Sequence, residues 1–173
     1  DPQDPDMIAA EIDRLPKKNL LEQSKDLQVY MAHTEQIPSG LKEIGRLREK
    51  TFRRAGEGTG RSIDLDRFDA YAIHIFVWNP GKKQIVGAYR VAPTDEILKK
   101  HGKKGLYTYT LFRYRNRLLS TLGPALEMSR SFVIPEYQKN YAPLLLLWKG
   151  LGRLVAAHPR YRILFGAVSI TSD

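Results

Sequence analysis

Cysteine is absent from this 173-residue chain. That absence excludes a disulfide framework, thiolate metal sites and a cysteine nucleophile, and it suits a reducing compartment. Long apolar runs are missing too. The longest, residues 143–148, falls far short of the roughly 20 residues that a membrane-crossing helix needs. The histidines, His33, His74, His101 and His158, show no metal-ligand spacing, so no metal is expected. Ser129 and Ser131 lack the His–Asp partners of a serine hydrolase. The start, residues 1–6, is acidic and proline-broken and does not read as a signal peptide. A cytoplasmic protein is the expectation.

Negative charge is the scarcer sign: 19 Asp and Glu stand against 28 Lys and Arg, a formal charge of +9. Such a surface gathers anionic partners, whether nucleic acid, anionic lipid, an acidic carrier protein or a pyrophosphate cofactor, without choosing among them. Lys99, Lys100, Lys103 and Lys104 read as a solvated basic face. They are also compatible with docking an acidic carrier or with peripheral contact at an anionic inner membrane.

What is present fits one globular domain, with 42% hydrophobic and 27% charged residues. Residues 1–26 read as a linker or N-terminal lead-in and residues 27–173 as the domain. Residues 27–32 alternate weakly, as a first strand. Pro38 and Ser39 open a helix on which Leu41, Ile44, Leu47, Arg48, Thr51 and Phe52 keep helical spacing until Gly56. Residues 71–78 and 84–92 predict two strands joined by the turn Asn79-Pro80-Gly81-Lys82-Lys83, the first apolar on both faces and therefore central. Thr94 caps a short helix ending at Gly102. Residues 106–122 interleave aromatics with arginines; a flap over a site and a stacking platform for single-stranded nucleic acid are both compatible. No RNA-binding motif accompanies the patch, which disfavours nucleic acid. A strand over 125–134, an apolar helix from Pro143 and a buried strand over 162–170 complete the pattern. Strand, helix and strand in that order make the last two strands parallel and adjacent or nearly so.

The chemistry gathers on the strand Leu126-Glu127-Met128-Ser129-Arg130-Ser131-Phe132, which carries a carboxylate, a guanidinium and two hydroxyls where a buried strand avoids charge. A structural ion pair and a functional site are both open readings. Regular pleating sends Glu127 and Arg130 to opposite faces. A β-bulge between them would bring them to one side and free a backbone amide for an acyl carbonyl; a straight ladder through Met128 and Ser129 would not. Arg48, Arg90 and Arg130 are cations in apolar surroundings, and Asp66, Asp69 and Glu127 are the carboxylates able to satisfy them in one buried network. The helix start after Gln138-Lys139-Asn140-Tyr141-Ala142 suits a phosphate.

Several spaced motifs carry a resemblance. They are Leu47-Arg48 with Phe52, Asp66-Arg67-Phe68-Asp69, Val86-Gly87-Ala88-Tyr89-Arg90, residues 126–137 from Leu126-Glu127 to Glu136-Tyr137, Leu147-Trp148-Lys149-Gly150 and Leu164-Phe165-Gly166. The chain resembles the acyl-CoA N-acyltransferase superfamily, often called GNAT. Within it, the chain is most similar to the branch of acyl-homoserine-lactone synthases and ornithine-lipid N-acyltransferases, and to the domain that follows a glycerolipid-type acyltransferase in bacterial hemolysin-type fusions. The resemblance implies a mixed α/β (α+β) fold with a mostly antiparallel central sheet flanked by helices. The resemblance also implies a fold that would be C-terminally incomplete, since a helix and further strands follow this point in that family.

The resemblance further implies transfer of an acyl group from an acyl-carrier-protein phosphopantetheine or acyl-CoA thioester to an amine, by direct attack. It gives Glu127 and Arg130 the catalytic positions and Arg48, Phe52, Asp66, Asp69 and Arg90 the acceptor side. Met128, Ser129, Ser131, Phe132, Val133, Gln138, Lys139, Asn140, Tyr141 and Ala142 would hold the donor. The glycine-free loop and the positive charge favour an acidic acyl carrier protein over CoA. The competing class is a non-catalytic lipid- or carrier-binding module.

Overall fold

The structure, a computed structural model, describes residues 1–167, with the backbone alone at 116 and 120. Six strands form one sheet in the order β1(Leu20–Ser24), β2(Leu27–Ala32), β3(Ile73–Asn79), β4(Gln84–Pro93), β5(Ala125–Val133) and β6(Ile163–Gly166). Every neighbouring pair is antiparallel except β5–β6, which runs parallel from Ala125↔Ile163 to Met128↔Gly166. The helix between them, α5(Ala142–Ala157), makes the crossover that parallel neighbours require. The mixed, mostly antiparallel sheet with flanking helices is therefore as the sequence implied.

The two faces bury two cores. Under α2(Pro38–Arg54) lie Phe76, Trp78, Ala88 and Phe132; under α5 lie Val29, Ile75, Val77, Val91 and Leu126. This division is what an apolar alternation on both faces of β3 demands. Three further α-helices are α1(Pro5–Asp13), α3(Thr94–His101) and α4(Asn116–Leu122), and short 3₁₀ turns link several of the elements.

The stretch expected to be a lead-in is structured. Ile8 and Ile12 of α1 are buried, and Glu11 accepts from the Ser39 and Gly40 N–H groups, each at 2.9 Å. Those donors belong to the first turn of α2, where they have no partner within the helix. A nine-residue helix is marginal alone, and this one stands by capping its neighbour. β1, not foreseen, pairs with β2 across the Lys25-Asp26 turn.

The last strand is shorter than expected: β6 ends at Gly166, and positions 168–170 of the strand read over 162–170 lie outside the described residues. It is half-exposed rather than buried, because it is the outer strand among the described residues. Gly166 is required there, since a Cβ would collide with the Met128 carbonyl oxygen of β5. α5 is apolar on two sides. Leu146, Leu147, Leu151 and Leu154 point into the core, while Tyr141, Leu144, Leu145 and Trp148 form an exposed stripe.

Candidate active site

α2 delivers Arg48 to the α2-side core, where it is 1% exposed. The loop after α2 folds back on Gly45, whose missing Cβ leaves room for Ile63 and Leu65 at 2.7 Å. Its carbonyl accepts from the Asp64 N–H at 3.1 Å. That contact brings Asp64 beneath Arg48. Arg48 Nε donates to Asp64 Oδ2 at 3.1 Å, Nη2 to Asp69 Oδ2 at 2.9 Å, and Nη2 also to the Asp64 carbonyl. Arg90, from β4, donates to Asp66 Oδ1 at 2.6 Å and to Ser129 Oγ at 2.9 Å, and lies 3.2 Å from Asp69 Oδ2. Burial pushes the Asp69 carboxyl up, but the Arg48 and Arg90 guanidiniums outweigh it and hold the group below its usual range. Beside it, burial pushes His74 down; its Nε2 lies 3.0 Å from the Asp69 carbonyl, which accepts.

The network thus contains Arg48, Arg90, Asp66 and Asp69 as the residue types suggested, but its third carboxylate is Asp64. Sequence reasoning passed over Asp64. The usable signal was the run Asp64-Leu65-Asp66, two acids alternating with apolar residues before the motif at 66–69. Glu127 does not join the network. Buried to 1% exposure, it accepts from the Tyr107 N–H at 2.9 Å, the Thr108 N–H at 2.8 Å and the Thr108 hydroxyl. Both of its oxygens are engaged in holding residues 107–108 against β5.

β5 carries a bulge, one step later than the position that would have placed it between Glu127 and Arg130. Glu127↔Ala92, Met128↔Val91 and Ser129↔Arg90 pair in regular register, so the ladder runs straight through Met128 and Ser129. The slip follows: Tyr89 on β4 stands against both Arg130 and Ser131. Arg130 takes the extra position with φ +55°, a left-handed conformation that costs a non-glycine residue roughly 1–2 kcal/mol. There it turns toward α2, its guanidinium 6.0 Å from the Phe52 ring centre and 5.1 Å from that of Tyr107. Its ion pairs are loose, 3.4 Å to Asp64 and 3.9 Å to Asp66, and its buried Nε has no partner.

A cleft of about 790 Å³ opens at this bulge. Residues of both sheet faces line it: Ser129, Arg130 and Phe52 from the α2 side, Tyr89, Met128 and Trp148 from the α5 side. Both faces reach it because β6 stops pairing at Met128↔Gly166, so among the described residues the β5 edge from Ser129 onward is open on that side. Tyr107, Leu111 and Phe112 wall it off, which puts part of the aromatic segment 106–122 at the mouth.

Of the donor-side residues, Met128, Ser129 and Ser131 line the cleft. Phe132 is buried in the α2-side core and Val133 packs partly buried under α5. Gln138, Lys139, Asn140, Tyr141 and Ala142 form the exposed approach to α5 and are not among the cleft's walls. At that helix start, Asn140 Oδ1 accepts from the Ala142 N–H at 2.9 Å and Pro143 has no N–H. The free amide donors that a phosphate needs are correspondingly few. No cluster of His, Cys, Asp or Glu with metal-binding geometry occurs among the described residues.

One cleft residue was not anticipated. Glu57, in the glycine-punctuated loop after α2, lines the cleft and is exposed. Its N–H donates to the Phe52 carbonyl at 2.8 Å. The loop is pinned by Glu49, which accepts from the Thr59 N–H at 2.9 Å, the Thr59 hydroxyl at 2.6 Å and the Gly60 N–H at 3.0 Å. Burial pushes Glu49 up, but these donors together with Arg53 bring its carboxyl down to about 2.

Comparisons with known proteins agree with this architecture. Residues 47–149 match the model of the acetyltransferase (GNAT) domain. A glycine N(alpha)-acyltransferase of Phocaeicola vulgatus is 37% identical over 154 residues, covering 83% of this chain and 47% of that protein. One of the same name from Bacteroides thetaiotaomicron is 36% identical, covering 83% and 46%. The chain thus spans about half the length of the curated relatives it matches. An aminoglycoside acetyltransferase from an uncultured soil metagenomic sample shares the fold at a TM-score of 0.50, with 14% identity over 85% of this chain and 82% of that one. So does an integron cassette protein from the V. cholerae mobile metagenome, at 0.50 and 12% identity, covering 84% and 77%.

Proposed function

Because the chain belongs to the GNAT acetyltransferase family, we propose that it transfers an acyl group from a thioester to the amine of a small acceptor, in the cleft beside the β5 bulge. The observation that carries this reading is the open β5 edge. From Ser129 to Ser131 the strand has no partner on the β6 side among the described residues, and it lines the cleft. An unpaired edge offers N–H and C=O groups to another extended chain, and a pantetheine arm has the amides to use them. The bulge leaves one ladder position unmatched, which suits polarisation of the thioester carbonyl. Met128, Trp148, Leu164 and Phe165 give the cleft apolar walls for an acyl chain to lie against.

The reaction needs a free amine, which attacks the carbonyl carbon directly; the C–S bond then breaks and the thiol leaves. Glu127 acts in this reading as a positioning residue: it fixes Tyr107, a cleft wall. Arg48, Asp64, Asp69 and Arg90 hold α2, the 64–69 loop and β4 in register around it. For the acceptor we take glycine, after the glycine N(alpha)-acyltransferases to which the chain is similar. For the donor we favour an acyl carrier protein over CoA. The start of α5 has few free amides for a pyrophosphate, and the chain carries +9. The spaced motifs at 47–52, 66–69 and 126–137 support placing it in the branch of acyl-homoserine-lactone synthases and ornithine-lipid N-acyltransferases. The exposed stripe on α5 supports peripheral contact with an anionic membrane.

The test is to incubate the intact chain with acetyl-CoA, a long-chain acyl-CoA or an acyl carrier protein, together with glycine or a panel of amines, and to detect N-acyl products by mass spectrometry. An N-acyl amino acid with at least one donor is the expected result. Carrier binding without transfer from any donor would favour the non-catalytic module, a reading to which the sealed carboxylate of Glu127 lends some support.

A further inference from the structure

Among the described residues that line the cleft, Glu57 and Arg130 alone carry formal charge, and of opposite sign. Both are anchored at Phe52. The Glu57 N–H donates to the Phe52 carbonyl at 2.8 Å, and the Arg130 guanidinium stands 6.0 Å from the Phe52 ring centre. One corner of an otherwise apolar and aromatic cleft is therefore bipolar. Neither charge is fully satisfied within the protein. Among the described residues Glu57 enters no ion pair or side-chain hydrogen bond, and the carboxylates that Arg130 meets lie at 3.4 and 3.9 Å, against 2.6 to 3.2 Å for Arg48 and Arg90.

Two further facts show that the corner is built. Arg130 reaches it only through the positive φ at the bulge, and backbone strain of this kind persists where the surrounding structure enforces it, often at functional sites. Glu57 reaches it on a loop that Glu49 fixes by three hydrogen bonds.

We infer that Glu57 and Arg130 form a two-charge clamp that selects an α-amino acid as acyl acceptor, Arg130 taking the carboxylate and Glu57 the amino group. The inference rests on the acyl-transfer reading and adds the determinant of acceptor choice to it. A planar guanidinium is matched to a carboxylate in a bidentate fork, and an acceptor lacking either end leaves one charge of the clamp unpaired. The clamp therefore discriminates against simple amines and simple acids alike.

The experiment is calorimetric titration of the intact chain, in the presence of CoA, with glycine, methylamine and acetate, alongside acceptor kinetics. Glycine is expected to bind, and methylamine and acetate to bind at least tenfold more weakly. Glu57→Gln, at an exposed position that leaves folding intact, should weaken glycine at least tenfold and raise its KM by a similar factor with the donor KM unchanged. Glu57→Asp should restore part of the loss. Arg130→Lys should narrow the gap between glycine and methylamine. If Glu57→Gln leaves both glycine affinity and glycine KM unchanged, or if methylamine matches glycine in the unaltered protein, the clamp is wrong while acyl transfer still stands. If glycine binds and Glu57→Gln abolishes binding but no acyl product forms with any donor, the clamp stands and the transfer reading fails.

Discussion

Two charged regions meet at Asp64 and Asp66, and they use the same residue types differently. In the sealed cluster, Arg48 and Arg90 are 1–2% exposed and meet Asp64, Asp66 and Asp69 at 2.6 to 3.2 Å. In the cleft corner, Arg130 and Glu57 face a void with long or absent partners. A buried charge paired at short range contributes rigidity and has little left for a ligand, although Arg90 Nη2 has no hydrogen-bond partner among the described residues. A half-paired charge at a cavity is a poor stabiliser and a ready binder. The difference therefore divides the molecule into a part that holds and a part that recognises, with Asp64 and Asp66 touching both.

The comparison can be tested by removing one member at a time. The largest effect should come from Asp69→Ala, which takes from Arg48 and Arg90 the carboxylate they share and leaves Asp64 alone to hold Arg48; a loss of about 3–5 kcal/mol is expected from urea unfolding. A loss below 1 kcal/mol would mean that the cluster is not the anchor described. Acidification should be next. Because the folded pKa of His74 is lowered, its contribution is complete above about 6.5 and is lost as pH falls below that value, at no more than about 1.4 kcal/mol per pH unit. Asp69, also lowered, keeps its contribution above about 3.9 and loses it further into acid. Two acid steps are expected, and His74→Gln should remove the upper one.

At Arg130 the effect is smaller and changes sign with the substituent. Arg130→Gly relieves the positive φ and should be about 1 kcal/mol more stable than Arg130→Ala, although both lose acceptor binding. Equal stabilities would show that the bulge relaxes once the guanidinium has gone. Smallest of all, Glu57→Gln should shift stability by less than about 0.5 kcal/mol while impairing acceptor use, the opposite profile to Asp69→Ala.

Much of this division was legible in the sequence. α2, β3, β4 and α5 announce themselves by apolar period and by proline or glycine at their ends. The cations Arg48, Arg90 and Arg130 announce themselves by standing in apolar settings. What could not be read is which carboxylate faces which cation. Glu127 has the residue type for the cluster, but register sets it against Ala92, toward the Tyr107–Thr108 backbone. Asp64 enters only because Gly45 lets its loop sit on α2. The odd spacing of Glu127 and Arg130 allowed a bulge between them as one reading, and the straight ladder through Met128 and Ser129 overturns it; the slip at Arg130 itself is one that the spacing could not show. Glu57 lay hidden among Gly56, Gly58 and Gly60, where glycines advertise flexibility and Glu49 supplies an order that no local pattern shows.

The outer stripe of α5 has a consequence for how the molecule behaves in solution. Tyr141, Leu144, Leu145 and Trp148 are 42 to 85% exposed on a chain carrying +9. At low ionic strength, mutual repulsion keeps such molecules apart; salt shortens that repulsion to within about 10 Å at 0.1 M and leaves the apolar contact unopposed. The usual remedy for a basic protein, raising salt, should therefore drive this one toward self-association. Trp148 fluorescence should report the onset by a blue shift.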